Sequence, residues 1–281
     1  MIAKPAVVHL SVRTCAAMPI VVAAYALKGG VGKTAAAVNL AWLAADEGHR
    51  VLLWDLDPQA AATFLLRSKA KVKGGARKLL QGRSDARDVV KNTVYERLDL
   101  LPAEALYDSA DLDLGEVKKS HERVERVLRP FEDTYDLVVL DCPPGLSLLS
   151  TNIVNAAAML VVPLVPSPLS LRTLDHVVEL AGSVEPPNPK VLAFFSMVDA
   201  RRPLHRDVIA LVHGRYGDVA DTTVPASAVV ERMGQRRAPV EIFAPHSPAA
   251  AAYRELWREV RDRIGLKPTA TKRQVDGAGS P

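Results

Sequence analysis

Residues Lys28-Gly29-Gly30-Val31-Gly32-Lys33-Thr34 decide the fold, because they join an apolar run, Ile20–Ala26, to an alanine-rich segment with helical spacing. Glycines let backbone N–H groups turn inward around phosphate oxygens, and a following helix N-terminus adds partial positive charge. We expect Lys33 to reach the β- and γ-phosphates of a nucleotide and the Thr34 hydroxyl to ligate Mg²⁺. The competing interpretation is a glycine-rich turn that merely links a strand to a helix.

Two positions of this loop depart from the plain phosphate-loop pattern, which has glycine where this chain has Leu27. The other departure is the second lysine, Lys28. If Lys28 faced its own nucleotide it would crowd Lys33, whereas a side chain that projects outward could serve a nucleotide bound by another copy of the chain. A solvated surface lysine is the alternative.

Carboxylates follow two other apolar runs. Val51–Trp54 is followed by Asp55-Leu56-Asp57-Pro58-Gln59, and strand alternation places Asp55 and Asp57 on one side of the sheet, at the edge where such folds bind ligands. Two carboxylates beside a triphosphate repel it unless Mg²⁺ or a polarised water lies between them, so one of them is a candidate to orient the attacking water. We choose Asp57 for this role and also as a metal-site residue.

The run Leu137–Leu140 ends in Asp141-Cys142-Pro143-Pro144-Gly145. Four apolar residues followed by an aspartate are typical of the strand that holds Mg²⁺ through its water shell, which assigns Asp141 to the metal site. Gly145 can bring its amide close to a γ-phosphate. The acidic clusters could alone be caps or turns, but together with the phosphate loop they favour a nucleotide site.

Apolar runs and helical segments alternate along the whole chain, which predicts an α/β fold with a doubly wound, mostly parallel sheet and helices on both faces. The predicted strands are Ile20–Ala26, Val51–Trp54, Leu98–Leu101, Leu137–Leu140, Met159–Val162, Val191–Met197 and Thr222–Val224. The predicted helices are Thr34–Glu47, a span near Arg77–Lys91, Leu114–Leu128, Leu146–Ala157, Leu169–Ala181, Leu204–His213 and Ser247–Ile264. We expect one ATPase domain over residues 19–265, an N-terminal extension over 1–18 and a disordered tail over 266–281.

Composition excludes several classes of protein. With 48% hydrophobic and 24% charged residues among 281, the chain can fill a large core and is not disordered as a whole. Cys15 and Cys142 are too few for a disulfide framework and point to a reducing cytoplasm. The uncharged run Ala16–Leu27 is too short to span a bilayer, and cleavage there as a signal peptide would destroy the phosphate loop.

The three motifs resemble the deviant Walker A, Walker A′ and Walker B motifs of the ParA/MinD family of ATPases, and the likeness extends over about residues 19–265. The ParA-like (Soj-type) partition branch is the better match. Met197–Arg201 resembles the stretch that contacts the adenosine, and Val224-Pro225 flanks the short helix near the base. On this basis Asp199 and Pro225 join the phosphate-loop residues as nucleotide contacts, which are Lys28, Gly29, Gly30, Val31, Gly32, Lys33, Thr34 and Ala35.

The resemblance implies an ATP- and Mg²⁺-dependent homodimer in which Lys28 reaches the partner's ATP, so Lys28, Lys33 and Asp57 carry catalysis. It also implies slow hydrolysis stimulated by a ParB-like partner, and partition or positioning of a chromosome, plasmid or protein cargo. Ala35 stands where the family usually has a second hydroxyl residue, which removes one expected phosphate contact.

The family also implies nonspecific DNA binding. Ala226 and Val229 stand where chromosomal ParA proteins carry DNA-binding arginines, so the leading candidates here are Arg232, Arg236 and Arg237. A second basic block, Arg67–Arg97, competes with them but is also explained as a solvated surface.

A MinD-like, membrane-associated positioning ATPase is the alternative function. In that case the last helix would press its apolar stripe into a membrane; the stripe is Tyr253, Leu256, Trp257, Val260 and Ile264. Its polar face mixes acids with bases, including the i,i+4 pairs Arg258–Asp262 and Glu259–Arg263, whereas membrane-surface helices carry mainly basic polar faces. We therefore expect docking on the protein's own core and no membrane partner.

Two further functions of the same fold are disfavoured by the residues. An iron–sulfur carrier needs closely spaced cysteines, which Cys15 and Cys142 do not supply. A tyrosine kinase of this fold would carry a tyrosine-rich tail, and residues 265–281 contain no tyrosine.

Overall fold

In the computed structural model of the protein, residues 18–67, 79, 85–103, 122–184 and 188–269 are described. They form an eight-stranded sheet in the order β3-β4-β2-β5-β1-β6-β7-β8, in which β3 pairs antiparallel with β4 and all other neighbours are parallel. The strands are β1 Ile20–Ala24, β2 Val51–Asp55, β3 Lys91–Asn92, β4 Leu98–Leu101, β5 Leu137–Asp141, β6 Met159–Leu164, β7 Lys190–Val198 and β8 Val219–Pro225. The predicted fold class is confirmed.

Helices connect the strands and cover both faces of the sheet. In the described residues they are α1 Lys33–Asp46, α2 Ala61–Leu65, α3 Arg123–Leu128, α4 Leu148–Ala156, α5 Ser170–Gly182, α6 Pro203–Arg215, α7 Ala228–Glu231, α8 Met233–Arg236, α9 Val240–Phe243 and α10 Pro248–Ile264. Short 3₁₀ turns occupy Ala86–Asp88 and Arg129–Phe131.

The strands are apolar throughout because both faces of the sheet are buried. On β1, Val21 and Ala23 face the core under α3 to α6, whereas Val22 and Ala24 face the core under α1 and α10. The alanines of α1 let this helix lie close to the sheet, and Ala36, Ala37 and Ala41 are fully buried there. The two cores therefore fix α1, and with it the loop that precedes it, at the middle of the sheet.

The predicted strands are all present, with ends that differ by at most three residues, but the pattern missed β3. Of the helix predicted near Arg77–Lys91, Leu79 and residues 85–91 are described; Leu79 is helical, whereas 85–91 hold the 3₁₀ turn and the start of β3. Of the helix predicted over Leu114–Leu128, only Arg123–Leu128 lies in the described part and is helical. Residues 1–17 and 270–281 of the expected extension and tail are outside the described ranges, while Leu266 packs against the core.

The last helix lies on the protein's own core, as its mixed polar face predicts. Tyr253, Leu256, Trp257 and Val260 are buried in the core that this helix shares with α1 and β8. The predicted ion pair between Glu259 and Arg263 is present at 3.2 Å. The predicted pair Arg258–Asp262 is wrong, because Arg258 pairs with Glu255 and Asp262 pairs with Arg261. No described helix has the length and apolar character needed to cross a membrane.

The two outer strands of the sheet, β3 and β8, differ in how their unpaired sides are protected. β3 has only two residues, both exposed. On β8, the Glu259 carboxylate of α10 accepts hydrogen bonds from the backbone N–H groups of Asp221 and Thr222, at 3.2 and 2.9 Å. The free side of β8 is therefore partly occupied by a side chain rather than left as a regular ladder, and β8 also carries register shifts on the side that pairs with β7.

Candidate functional site

A cleft of about 650 Å³ opens at the carboxyl ends of the parallel strands, where doubly wound folds bind ligands. Its walls come from the loop before α1, the loop after β2, the loop after β5 and the end of β7. The lining residues are Gly29, Gly30, Gly32, Lys33, Thr34, Ala35, Asp57, Pro58, Gln59, Pro143, Pro144 and Met197. The three sequence motifs therefore meet in one place.

The loop before α1 has the backbone that phosphate binding needs. Gly30 and Gly32 have φ angles of +72° and +99°, in the left-handed region that favours glycine, and Gly32 caps the N-terminus of α1. The Ser196 hydroxyl on β7 donates a 2.7 Å hydrogen bond to the Val31 carbonyl. This contact fixes the middle of the loop from a strand more than 160 residues away.

The two lysines of the loop differ in their surroundings. Lys33 is buried in the cleft, and its Nζ lies 3.4 Å from the Lys28 carbonyl. Burial lowers the pKa of Lys33, although the neighbouring Asp141 and Asp57 oppose this shift. Lys28 is exposed and its side chain lies outside the lining of the cleft. The geometry therefore agrees with an outward-projecting Lys28.

Asp141 has the properties of a metal-site carboxylate. It ends β5, is fully buried, and neither of its oxygens receives a hydrogen bond of normal geometry from the described residues. Burial and the neighbouring Asp55 raise its pKa well above the usual value, and the nearby Thr34 hydroxyl only partly offsets this rise. A buried carboxylate without partners is costly unless a cation compensates it, so Asp141 and Thr34 fit a bound Mg²⁺.

The two aspartates after β2 have separate roles. Asp55 is buried and accepts hydrogen bonds from the Thr63 hydroxyl and amide at 2.7 and 2.8 Å and from the Asp57 amide at 3.2 Å. Burial raises the pKa of Asp55 to about 6, while these bonds oppose the rise. Asp57 is half-buried and lines the cleft, with one oxygen accepting the Gln59 amide at 2.9 Å. Asp55 therefore shapes the turn, and Asp57 is the carboxylate that can face a ligand.

The residues predicted to contact the adenosine lie away from the lining. Asp199 forms an ion pair with Arg201 at 3.0 Å, and Pro225 ends β8. Neither lines the cleft, whereas their neighbour Met197 does; it is exposed and has a φ of +54°. The cleft lining thus comes from the phosphate and carboxylate motifs and from β7 and does not include Asp199 or Pro225, whose contact with the adenosine stays a prediction.

The three candidate DNA-binding arginines are not equivalent. Arg232 and Arg236 are exposed, and neither forms an ion pair within the described ranges. Arg237 donates a 2.9 Å hydrogen bond to the Phe64 carbonyl and lies 4.5 Å from the centre of the Phe64 ring. Arg67 in turn donates to the carbonyls of Arg236 and Arg237, at 3.1 and 3.2 Å. Arg237 therefore holds α2 and α8 together.

Comparisons with known proteins agree with this site. The sequence pattern of an AAA domain family, AAA_31, matches residues 20–191. The chain is 33% identical over 239 residues to the sporulation initiation inhibitor protein Soj of Bacillus subtilis (strain 168), covering 83% of this chain and 94% of Soj. It belongs to the ParA/MinD family of ATPases. Membership confirms the resemblance carried by the three motifs.

A second relative and a solved structure are also similar to this chain over nearly their full length. The chain is 31% identical over 244 residues to the chromosome partitioning protein ParA of Caulobacter vibrioides (strain NA1000 / CB15N), covering 84% of this chain and 91% of that protein. Among solved structures, cobyrinic acid a,c-diamide synthase from Mycobacterium smegmatis with bound ADP and magnesium superposes with a TM-score of 0.75. It is 27% identical in sequence and covers 90% of this chain and 99% of its own.

Several contacts that build the site have no local signal in the sequence. Thr63, Ser196 and Tyr25 each hold a motif residue through a side-chain hydroxyl. A hydroxyl residue in a strand or short helix is common, and only the folded sheet shows which backbone group it reaches. The one available signal is the placement of Thr63 eight residues after Asp55, one turn into α2.

Proposed function

We propose that this member of the ParA/MinD family binds ATP with Mg²⁺ and hydrolyses it. The observation that carries the proposal is the convergence of buried Lys33, the Thr34 hydroxyl and the buried Asp141 carboxylate, which both of them influence, at the glycine loop. Thr34 and Asp141 would hold the Mg²⁺, which when bound neutralises charge on the phosphates. Lys33 and the loop amides hold the phosphates, and Asp57 faces the terminal phosphate to orient a water.

We infer that the active form is an ATP-dependent homodimer with two clefts facing each other. Lys28 supports this, because an exposed lysine beside the cleft has no contact to make on its own nucleotide but is placed to cross to a second copy. Slow hydrolysis stimulated by a ParB-like partner would then return the dimer to monomers. This cycle fits a cytoplasmic protein that partitions or positions a chromosome, plasmid or protein cargo.

The membrane-associated alternative loses its main support. The stripe that would insert into a membrane packs against α1 and β8, so a MinD-like role would need a different membrane-binding surface. We therefore place the protein in the partition branch, whose named relatives include Soj and ParA.

The proposed cycle is tested by the mass of the purified protein and its affinity for DNA in ATP and in ADP. We expect a dimer that binds random-sequence DNA with Mg-ATP, and a monomer with weak DNA binding in ADP. Lys33→Ala is the control that removes the lysine from the phosphates and should stay monomeric in both nucleotides. A wild-type protein that binds no ATP would contradict the proposed ATPase function. ATP binding without a change in mass would contradict the proposed dimer.

The proposed DNA surface is centred on Arg232 and Arg236, which are exposed around α8, with Arg237 setting the position of this segment. If both side chains contact phosphates, Arg232→Ala with Arg236→Ala should weaken DNA binding at moderate salt. The log–log salt slope should flatten by about 0.9 for each DNA phosphate that is no longer neutralised, summed over both subunits. Since phosphate contacts carry no base information, the weakening should be equal for DNA of different sequence.

Arg258→Ala is the matched control for this double variant, because Arg258 is also an exposed helix arginine but lies on α10 beside Glu255. It should leave the slope unchanged. If the Arg232 and Arg236 variant still dimerises with ATP and keeps the wild-type slope, the DNA surface lies elsewhere, and the block from Arg67 to Arg97 becomes the next candidate.

A further inference from the structure

Tyr25 is a buried tyrosine that joins two loops of the cleft. It follows β1, three residues before Lys28, and is fully buried. Its hydroxyl donates a 2.9 Å hydrogen bond to the Gly145 carbonyl, in the loop after the neighbouring strand β5. Burial raises the pKa of Tyr25 to about 12, so the hydroxyl keeps its proton at neutral pH.

A second hydroxyl reaches the same carbonyl from another element. Ser150, on the first turn of α4, donates to the Gly145 carbonyl at 3.1 Å and is almost completely buried. Ser150 is itself held in a capping box, in which it and Ser147 bond each other's backbone amides. One carbonyl thus receives two donors, one from the strand that leads to the phosphate loop and one from α4.

The carbonyl they hold belongs to a glycine that can change conformation. Gly145 has a φ of +101°, and a Cβ placed on it would meet no atom within 4 Å, so backbone geometry rather than space requires glycine here. In a planar trans peptide the C=O and the following N–H point in opposite directions. While its carbonyl faces Tyr25 and Ser150, the N–H of Leu146 is therefore turned away from the core, and Leu146 is 61% exposed.

This arrangement fixes a wall of the cleft. Pro143 and Pro144 line it, and neither proline has an N–H that could anchor the loop to the sheet. Among the residues that the structure describes, the hydrogen bonds that anchor this segment are the two hydroxyl bonds to Gly145. In the proposed function, the amides of the glycine loop hold the phosphates that ATP and ADP share. The wall formed by Pro143 and Pro144 would then face the additional phosphate of ATP.

We propose that Tyr25 and Ser150 are positioning residues that hold the loop from Pro143 to Leu146 against the phosphate loop, and that this latch sets the preference of the site for a nucleoside triphosphate over a diphosphate. The latch deepens the proposed ATPase function and rests on it. If Tyr25 only filled the core, Tyr25→Phe would change the affinities for ATP and ADP equally, since the ring stays buried when the hydroxyl is removed.

Tyr25→Phe tests the latch because it removes the hydroxyl and keeps the ring. Losing one hydrogen bond should weaken binding of a non-hydrolysable ATP analogue by about 3- to 10-fold and leave ADP affinity within about twofold. Hydrogen exchange at the amides of Gly145, Leu146 and Ser147 should become faster. Tyr135→Phe is the matched control, since that hydroxyl donates to the Asp99 carboxylate at 2.9 Å, at the opposite edge of the sheet.

Ser150→Ala is the second variant and decides the matter if Tyr25→Phe does not fold. Its control is Ser170→Ala, because Ser170 begins α5 with the same pattern, bonding the Ser167 amide and the Val165 carbonyl, but the loop that it holds after β6 contributes no residue to the cleft lining. Equal losses of affinity for both nucleotides, or exchange rates like those of the controls, would overturn the latch. If the wild type binds neither nucleotide, the ATPase proposal fails, and the exchange rates alone then decide whether Gly145 is held.

Discussion

Lys28→Ala is expected to lower ATP hydrolysis by about 10³-fold while ATP binding is retained, by analogy with a trans-acting arginine that stabilises transferred phosphate. The buried Lys33 and the glycine loop supply the contacts to the protomer's own nucleotide, whereas Lys28 is exposed outside the cleft. Hydrolysis is measured as phosphate release at saturating ATP, and binding is measured by titration with a fluorescent ATP analogue.

The assignment of Lys28 to the partner's nucleotide can be checked by mixing variants. Lys28→Ala and Asp57→Ala each lack one catalytic group, and a mixed dimer contains one complete site only if Lys28 acts across the interface. We expect mixing to restore phosphate release. Lys91→Ala, a change of an exposed lysine on β3, should behave as wild type. A mixture as inactive as its two components would show that Lys28 acts on its own nucleotide.

Asp57→Ala is expected to reduce hydrolysis by at least about 100-fold and to leave the protein locked as an ATP-bound dimer. Asp57 lines the cleft, and its substitution leaves the phosphate loop and Asp141 intact. Light scattering should show a dimer that persists after ATP addition, whereas the wild type returns to monomer as ATP is consumed.

Asp55→Ala is the control for this experiment. The Asp55 carboxylate accepts three hydrogen bonds from the turn, so its loss should lower the free energy of unfolding by about 1–3 kcal/mol rather than trap a dimer. If Asp57→Ala and the wild type both remain monomers in ATP, the sandwich dimer is wrong.

The strands and the main helices could be predicted because their signal is local. Continuous apolar runs such as Leu137–Leu140 require a strand buried on both faces, and the alanines of α1 require close packing on a sheet. β3 was missed because Lys91 and Asn92 have no apolar pattern and become a strand only by pairing with Leu100 and Asp99. The prediction of an ion pair between Arg258 and Asp262 was wrong because sequence spacing does not show which of several nearby charges a side chain contacts. Arg258 pairs with Glu255, and Asp262 pairs with Arg261.

The phosphate loop and the carboxylates could be predicted because the residues of each motif are neighbours in the sequence. The division of work between Asp55 and Asp57 could not, because it depends on Thr63, which also accepts the Ala103 amide beyond β4. The engagement of Arg237 with Phe64 is equally invisible, because the two residues are 173 positions apart.

The unpaired sides of the two outer strands, β3 and β8, have a consequence for how copies of the chain can assemble. An open strand edge is a template for another strand, which leads to fibres or aggregates. Here β3 is too short to offer a ladder, and Glu259 already occupies amides of β8. Neither outer strand therefore offers a full ladder to a strand of another molecule. The proposed dimer forms instead through the loop-bearing surface, where a bound ligand, rather than backbone pairing, can decide when the two copies meet.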